Sequence, residues 1–157
     1  MTATSTSIHG NLIVIQNTGI LITGNPGSGK SDLSLKLIRR GHQFVADDLV
    51  QITLNDSLNT LIGHQVKTPE FPMHLRDEGF IDVGKTYGLQ SVRNQAAIHL
   101  VVHLTNTPME PTWQQLLDIP VKKYSLNNRS QRPLALLIED IVAKEQINLG
   151  ESFSVKK

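Results

Sequence analysis

Eight consecutive residues carry the sharpest chemical signal in the chain. Gly24-Asn25-Pro26-Gly27-Ser28-Gly29-Lys30-Ser31 fits G-x-x-x-x-G-K-[ST] at every fixed position. Glycines let the backbone take φ > 0, so successive N–H groups converge on phosphate oxygens. A helix opening at Lys30 adds the positive end of its dipole. In this pattern Lys30 reaches the β- and γ-phosphates of a nucleoside triphosphate, and the Ser31 hydroxyl holds Mg²⁺. The competing reading is a glycine turn before a helix that binds nothing. The flanks favour the phosphate site, because an apolar strand (Gly19 to Thr23) precedes the loop and an amphipathic helix follows it.

A second chemical feature is Asp47-Asp48, at the end of a short apolar run from Gln43 to Ala46. A strand–loop–helix–strand unit with a right-handed crossover sets this strand beside the strand of the loop. Its carboxylates then lie near the γ-phosphate. Neighbouring strand residues face opposite ways, so the two acids divide their roles: one faces the phosphates, the other reaches the metal or caps a turn. The plain alternative is an Asp-Asp pair that merely starts a turn.

The remaining elements must position these groups. Asn11 to Gln16 and Gly19 to Thr23 read as a hairpin around Asn17-Thr18. Ser31 to Arg40 reads as a helix closed by Gly41 at C′. Val50 to Leu54 and Leu58 to Ile62 form a hairpin. Lys67 to Gly79 is a loop, Phe80 to Val83 a short strand, and Ala96 to Leu104 a buried strand. Thr105 to Pro120 reads as a loop, Leu134 to Gln146 as a closing helix, and residues 1–7 as a frayed end. Strands outnumber helices and include hairpins, which predicts an α/β domain with a mixed sheet, one domain over 1–157.

Composition narrows the function classes. Fifteen basic residues against 14 acidic ones give a net charge of +1, so no nucleic-acid partner is expected. There is no cysteine, which excludes thiolate catalysis, zinc fingers and disulfides. No apolar run reaches the length of a membrane span, and the start has no signal-peptide pattern; a cytoplasmic protein without membrane contact is the expectation.

The stretch GILITGNPGSGKSDLSLKLIRRGHQFVADD resembles the catalytic domain of HPr kinase/phosphorylase, in the short form that has the C-terminal domain only. The resemblance covers roughly residues 7 to 145 and is most specific in RGH-x-x-VADD. It implies a P-loop domain related in fold to phosphoenolpyruvate carboxykinase, assembled as a homo-hexamer. It also implies ATP and Mg²⁺ as ligands and a serine of the phosphocarrier HPr as acceptor. By position, Gly24 to Ser31 would bind the triphosphate, with Ser31 on Mg²⁺; of the Asp pair, Asp47 is then the acid left to reach the metal. Asp48 would be the base that takes the serine proton, and the acid in the reverse, phosphate-removing direction. His9 matches a family active-site histidine. Arg76 matches the arginine of a signature read as E-I-R-G-L-G-I-I-D-V, and Arg132 the arginine of a segment read as G-R-N. The sequence departs from the family at His74, where the signature has a metal-binding Glu, and at Gln115, where an Arg is expected.

Other histidines have plain structural readings. His9 beside Gly10 suits a strand start. His99 and His103 share one face of a strand without a third ligand at matching spacing. Arg129, Arg132, Lys122 and Lys123 form a basic segment that suits phosphate or a solvated surface. Two other function classes stay open beside the kinase: a non-catalytic ATP-binding regulator, and a small-molecule kinase with the same loop.

Overall fold

The glycine-rich loop leaves the middle of a mixed sheet. The computed structural model describes residues 4–66, 70–75 and 78–156, the stretch from 148 by backbone alone. Among these residues nine strands form one sheet and two more form a small hairpin. Strands β1 (Ser5–His9), β2 (Asn11–Ile15) and β3 (Thr18–Gly24) come first, followed by helix α1 (Lys30–Arg39) and β4 (Gln43–Ala46). Then come β5 (Leu49–Asn55), β6 (Thr60–His64), the small hairpin β7 (Pro72–Leu75) and β8 (Gly79–Asp82), and the short helix α2 (Val83–Tyr87). Finally β9 (Gln95–Thr105), β10 (Thr112–Leu116), β11 (Ile119–Asn127) and α3 (Leu134–Lys156) close the order. The main path of the sheet is β1-β5-β6-β9-β3-β2-β4.

β2 and β3 are joined by Gln16 and Asn17, both at positive φ (48° and 64°), the mirror-image turn whose twist matches paired strands. This tight turn places β2 against β3, and β4 then pairs with the far edge of β2. The expected neighbour of the loop strand is therefore displaced by one position. β3 and β4 both run antiparallel to β2, so they still end at the same edge of the sheet. On the other side β3 pairs in parallel with β9.

The central strands are buried on both faces. Ile13, Ile20, Ile22, Phe44, Leu100 and Val102 pack under α1 and α3. Leu12, Val14, Leu21, Val45 and Val101 pack on the opposite side with Val50, Ile52 and Leu61. Two-sided burial explains why these strands read as continuous apolar runs. The register between β3 and β9 shifts by one residue at His99: Gly19 faces Ile98, but Ile20 faces Leu100. His99 is thus a bulge residue, and Ile98 and Leu100 turn to opposite cores. The bulge leaves the Gly19 N–H free, and it donates instead to His99 Nδ1 at 2.9 Å. Burial pushes the His99 pKa down, which keeps that nitrogen an acceptor.

Three segments differ from the sequence expectation. Ser5–His9 is a strand paired with β5 rather than a frayed end. β7 lies inside the stretch read as a loop. β10 and the start of β11 occupy the second such stretch, turning at Leu117-Asp118 with φ 48° and 65°. Their polar residues (Gln114, Gln115, Lys122, Lys123) hide the strand pattern, because an edge hairpin has little apolar face to show. α3 also runs further than Gln146. No described helix is long and apolar enough to cross a membrane.

Candidate functional site

The site forms where β3 and β4 end. Gly27 and Gly29 take φ of 83° and 98°, and Gly29 is the N-cap of α1 with no side-chain cap bond. The first N–H groups of α1 therefore lack side-chain partners and face the loop, which is the geometry of an anion cradle. Lys30 Nζ donates to the carbonyls of Gly24 (2.9 Å) and Asn25 (3.4 Å), so the ammonium lies across the same loop.

The two carboxylates are separated by the backbone. Leu49 N–H donates to Asp47 O at 2.8 Å, and Asp48 between them has φ 71°. A bond from residue i+2 back to i around such a φ makes a γ-turn, a strained conformation that needs outside support. Support comes from the start of β2. Asp48 N–H donates to Asn11 Oδ1 (2.9 Å), and Gly10 N–H donates to Asp48 O (3.0 Å). Asn11 Nδ2 in turn donates to Ser34 Oγ (2.9 Å), which donates to Lys30 O (2.8 Å). A buried chain of hydrogen bonds thus ties Asp48 to the first turn of α1.

The turn gives the two acids different partners. Asp47 Oδ1 accepts from Ser31 Oγ at 2.8 Å, and Asp47 Oδ2 accepts from the His74 N–H at 3.0 Å. The Asp48 carboxylate has no hydrogen bond among the described residues and lines a cleft of about 280 Å³ with Lys30, Ser31, Gly27 and His74. This cleft continues past Asp47 and Asp48 into a wider one of about 480 Å³, walled by Pro72, His74 and Phe80. Phe80 is 76% exposed and meets the His74 ring edge-on, with centroids 4.9 Å apart. Beneath the loop, Thr23 Oγ1 and His103 Nδ1 are 2.8 Å apart. Burial, and then the nearby Lys123 and Lys30, push the His103 pKa down, so the ring adds no charge near neutrality.

The structure therefore brings together Gly24 to Ser31, Asp47 and Asp48. His9 ends β1 opposite Leu49, one residue from Asp48, and is exposed. Arg132 lines a separate cleft on the other side of Gly29 and Asp32, where its Nη2 lies 3.5 Å from Asp140 Oδ2. Arg76 lies outside the described residues. Sequence reasoning missed Asn11, Phe80 and the placement of His74. A buried asparagine at a strand start is the one local sign that could have marked Asn11.

Ser31 Oγ and Asp47 Oδ1 are hard oxygen donors side by side, a pair that fits Mg²⁺ in company with phosphate oxygens. A mixed α/β sheet, an uncapped helix behind a glycine loop and two carboxylates with different partners define an α/β protein with an open carboxylate beside a glycine-loop cradle. The chain belongs to the HPr serine kinase C-terminal domain family, whose model matches residues 1–157. The HPr kinase/phosphorylase of Clostridium acetobutylicum is 38% identical over 161 residues, covering 97% of this chain and 52% of that protein. The enzyme of the same name from Bordetella avium is 34% identical, over 94% of this chain and 50% of its own length. The chain thus spans about half the length of the curated relatives it matches. The solved structure of the Hpr(Ser) kinase/phosphatase from Coxiella burnetii superposes with a TM-score of 0.87 at 34% identity, covering 96% of both chains.

Proposed function

We propose that this domain is an ATP-dependent protein kinase that phosphorylates a serine hydroxyl of HPr, the phosphocarrier for which its relatives are named. One observation carries the reading: adjacent carboxylates are split by a γ-turn, Asp47 bound to Ser31 and Asp48 open to the cleft beside Lys30. In this reading Gly24 to Ser31 is a P-loop that binds the triphosphate of ATP through its backbone N–H groups. Lys30 leaves its own loop carbonyls and neutralises charge on the transferring phosphoryl group. Asp48 accepts the proton of the serine hydroxyl as its oxygen bonds to the γ-phosphorus. The bond from that phosphorus to the bridging oxygen breaks, and its electron pair leaves with ADP. Ser31 and Asp47 would hold Mg²⁺, which when bound would supply further charge neutralisation. In the reverse direction the Asp48 carboxyl returns the proton. His9 is assigned to the acceptor side and Arg132 to the far side of the loop.

A polypeptide acceptor suits the open, partly apolar wall of Pro72 and Phe80 better than a small metabolite, which calls for an enclosing pocket. The test is transfer from γ-labelled ATP with Mg²⁺ to purified HPr, using wild type, Lys30→Ala and Asp48→Asn. Wild type should label HPr. Lys30→Ala should lose ATP binding, and Asp48→Asn should bind ATP without transfer. Transfer by Asp48→Asn at the wild-type rate refutes the base assignment. ATP binding by wild type without any labelled HPr refutes HPr as acceptor, in favour of a nucleotide-binding regulator or a kinase with a different acceptor.

A further inference from the structure

A second cleft, of about 330 Å³, shares Gly29 and Asp32 with the Asp48 cleft and opens on the other side of them, between α1 and the start of α3. Leu33, Pro133 and Leu134 give it apolar walls. Ser28 and Asn128 line it too, and they hold the buried side-chain polar atoms that lack any partner among the described residues, Ser28 Oγ and Asn128 Oδ1. Buried acceptors without partners are rare in folded proteins and mark a missing donor. Asn128 is held in place from the backbone, its N–H donating to Thr105 O at 3.1 Å. Beside these apolar walls the lining is polar, with Asn128, Ser130 and Gln131 among it, and a slot that offers both apolar surface and hydrogen-bonding groups suits a nucleobase.

The direction of a bound nucleotide follows from the first cleft. With the γ-phosphoryl group at Asp48, the nucleoside end of a triphosphate points away from Asp48, into this second cleft. We propose that Asn128 reads the base here and selects adenine over guanine. Its Oδ1 accepts from the 6-amino group of adenine, and its Nδ2 donates to N7 on the same edge of the base. Guanine carries a carbonyl oxygen where adenine has that amino group, so acceptor would meet acceptor. Lys36 and Arg132 on the lining of the same cleft add positive charge toward the phosphates. This inference rests on the phosphate-loop reading above, and the experiment separates the two.

Calorimetry would measure binding of ATP, GTP and tripolyphosphate to wild type, Asn128→Ala, Asn128→Leu and Lys30→Ala, the last of which should lose all three. Wild type should prefer ATP over GTP by roughly tenfold or more, the scale of one or two neutral hydrogen bonds. Asn128→Ala should remove that preference and leave tripolyphosphate affinity intact. Its thermal midpoint should stay at the wild-type value, because Oδ1 has no protein partner to lose. Asn128→Leu keeps about the size of the side chain and loses both donor and acceptor, so it should also remove the preference, which guards against a folding effect of the smaller residue. An unchanged ATP to GTP ratio in both variants, with tripolyphosphate still bound, overturns the base assignment alone. Failure of wild type to bind tripolyphosphate overturns the phosphate loop, and the base assignment with it.

Discussion

Asn11→Ala tests how the fold holds its candidate base. The side chain is 1% exposed and makes two hydrogen bonds of 2.9 Å, accepting from Asp48 N–H and donating to Ser34 Oγ. Each such bond contributes about 0.5–1.5 kcal/mol net, and a buried donor left unpaired costs about 1–3 kcal/mol. Ser34 Oγ keeps its bond to Lys30 O, so only the Asp48 side is fully orphaned. A loss of about 2–3 kcal/mol follows, which for a chain of this length lowers Tm by roughly 5–10 °C. The γ-turn at Asp48 then loses one of its two backbone supports, and a carboxylate misplaced by about 1 Å slows transfer by on the order of tenfold to a hundredfold. KM for ATP should hold, since no atom of the glycine loop bonds Asn11. Ser34→Ala is the control. It leaves the Asn11–Asp48 bond in place but leaves the buried Asn11 Nδ2 unpaired, so it should cost about 1–3 kcal/mol and change kcat less than about threefold. Thermal unfolding followed by circular dichroism, with kcat on the same samples, reads both effects. If Asn11→Ala loses stability but keeps kcat, the tie does not position Asp48; if it loses neither, the buried chain of bonds is misread.

Gly19→Ala places a Cβ 1.8 Å from the Ala97 carbonyl oxygen, backbone against backbone at the sheet centre, and should destabilise by about 3 kcal/mol or more in thermal unfolding. Gly29→Ala, whose Cβ meets nothing within 4 Å but whose φ is 98°, should cost only about 1 kcal/mol yet weaken tripolyphosphate binding. The Arg40 hydrogen bond, with His42 beyond it, holds the Glu139 carboxyl down to about 2 from 4.5 against the opposing effect of burial. A depressed carboxylate stabilises fully above about 4.5 and progressively loses this as pH falls toward about 2. A shift of this size is worth about 3 kcal/mol at most, and less for a side chain 23% exposed; acid unfolding of Glu139→Gln should be flatter than wild type in that window. Phe80→Ser should leave Tm and ATP affinity unchanged and raise KM for HPr roughly fivefold, about 1 kcal/mol of lost contact; an unchanged KM removes Phe80 from the acceptor wall.

Much of the site was legible because its parts are local. Gly24 to Ser31 lie within one loop and one helical turn, and the glycines leave little choice of conformation there. The helix after the loop shows its buried face in Leu33, Leu37 and Ile38, and it closes at Gly41 with φ 97°. Asp47 and Asp48 follow a short apolar strand, whose alternation predicts different surroundings for the two carboxylates. Alternation is not the cause: their different partners come from a positive φ at Asp48, which no spacing rule shows.

The pairings between distant segments were not legible. That β2 lies between β3 and β4 depends on which strand reaches a free edge first, and a two-residue turn gives β2 that advantage. The role of Asn11 depends on that insertion, since only a strand beginning between the loop and the Asp pair can bond Asp48 on one side and Ser34 on the other. His74 and Phe80 reach the cleft on a hairpin whose sequence, rich in charge and proline, resembles a loop. Arg132 and Asn128 follow β11, and their cleft is set by how α3 folds back over α1. Local sequence by itself determined the groups that can hold a phosphate, because their geometry is set within a few residues. The tertiary structure alone decided which carboxylate is free, what supports it and which side of the loop each partner occupies, because those contacts join residues far apart in the chain.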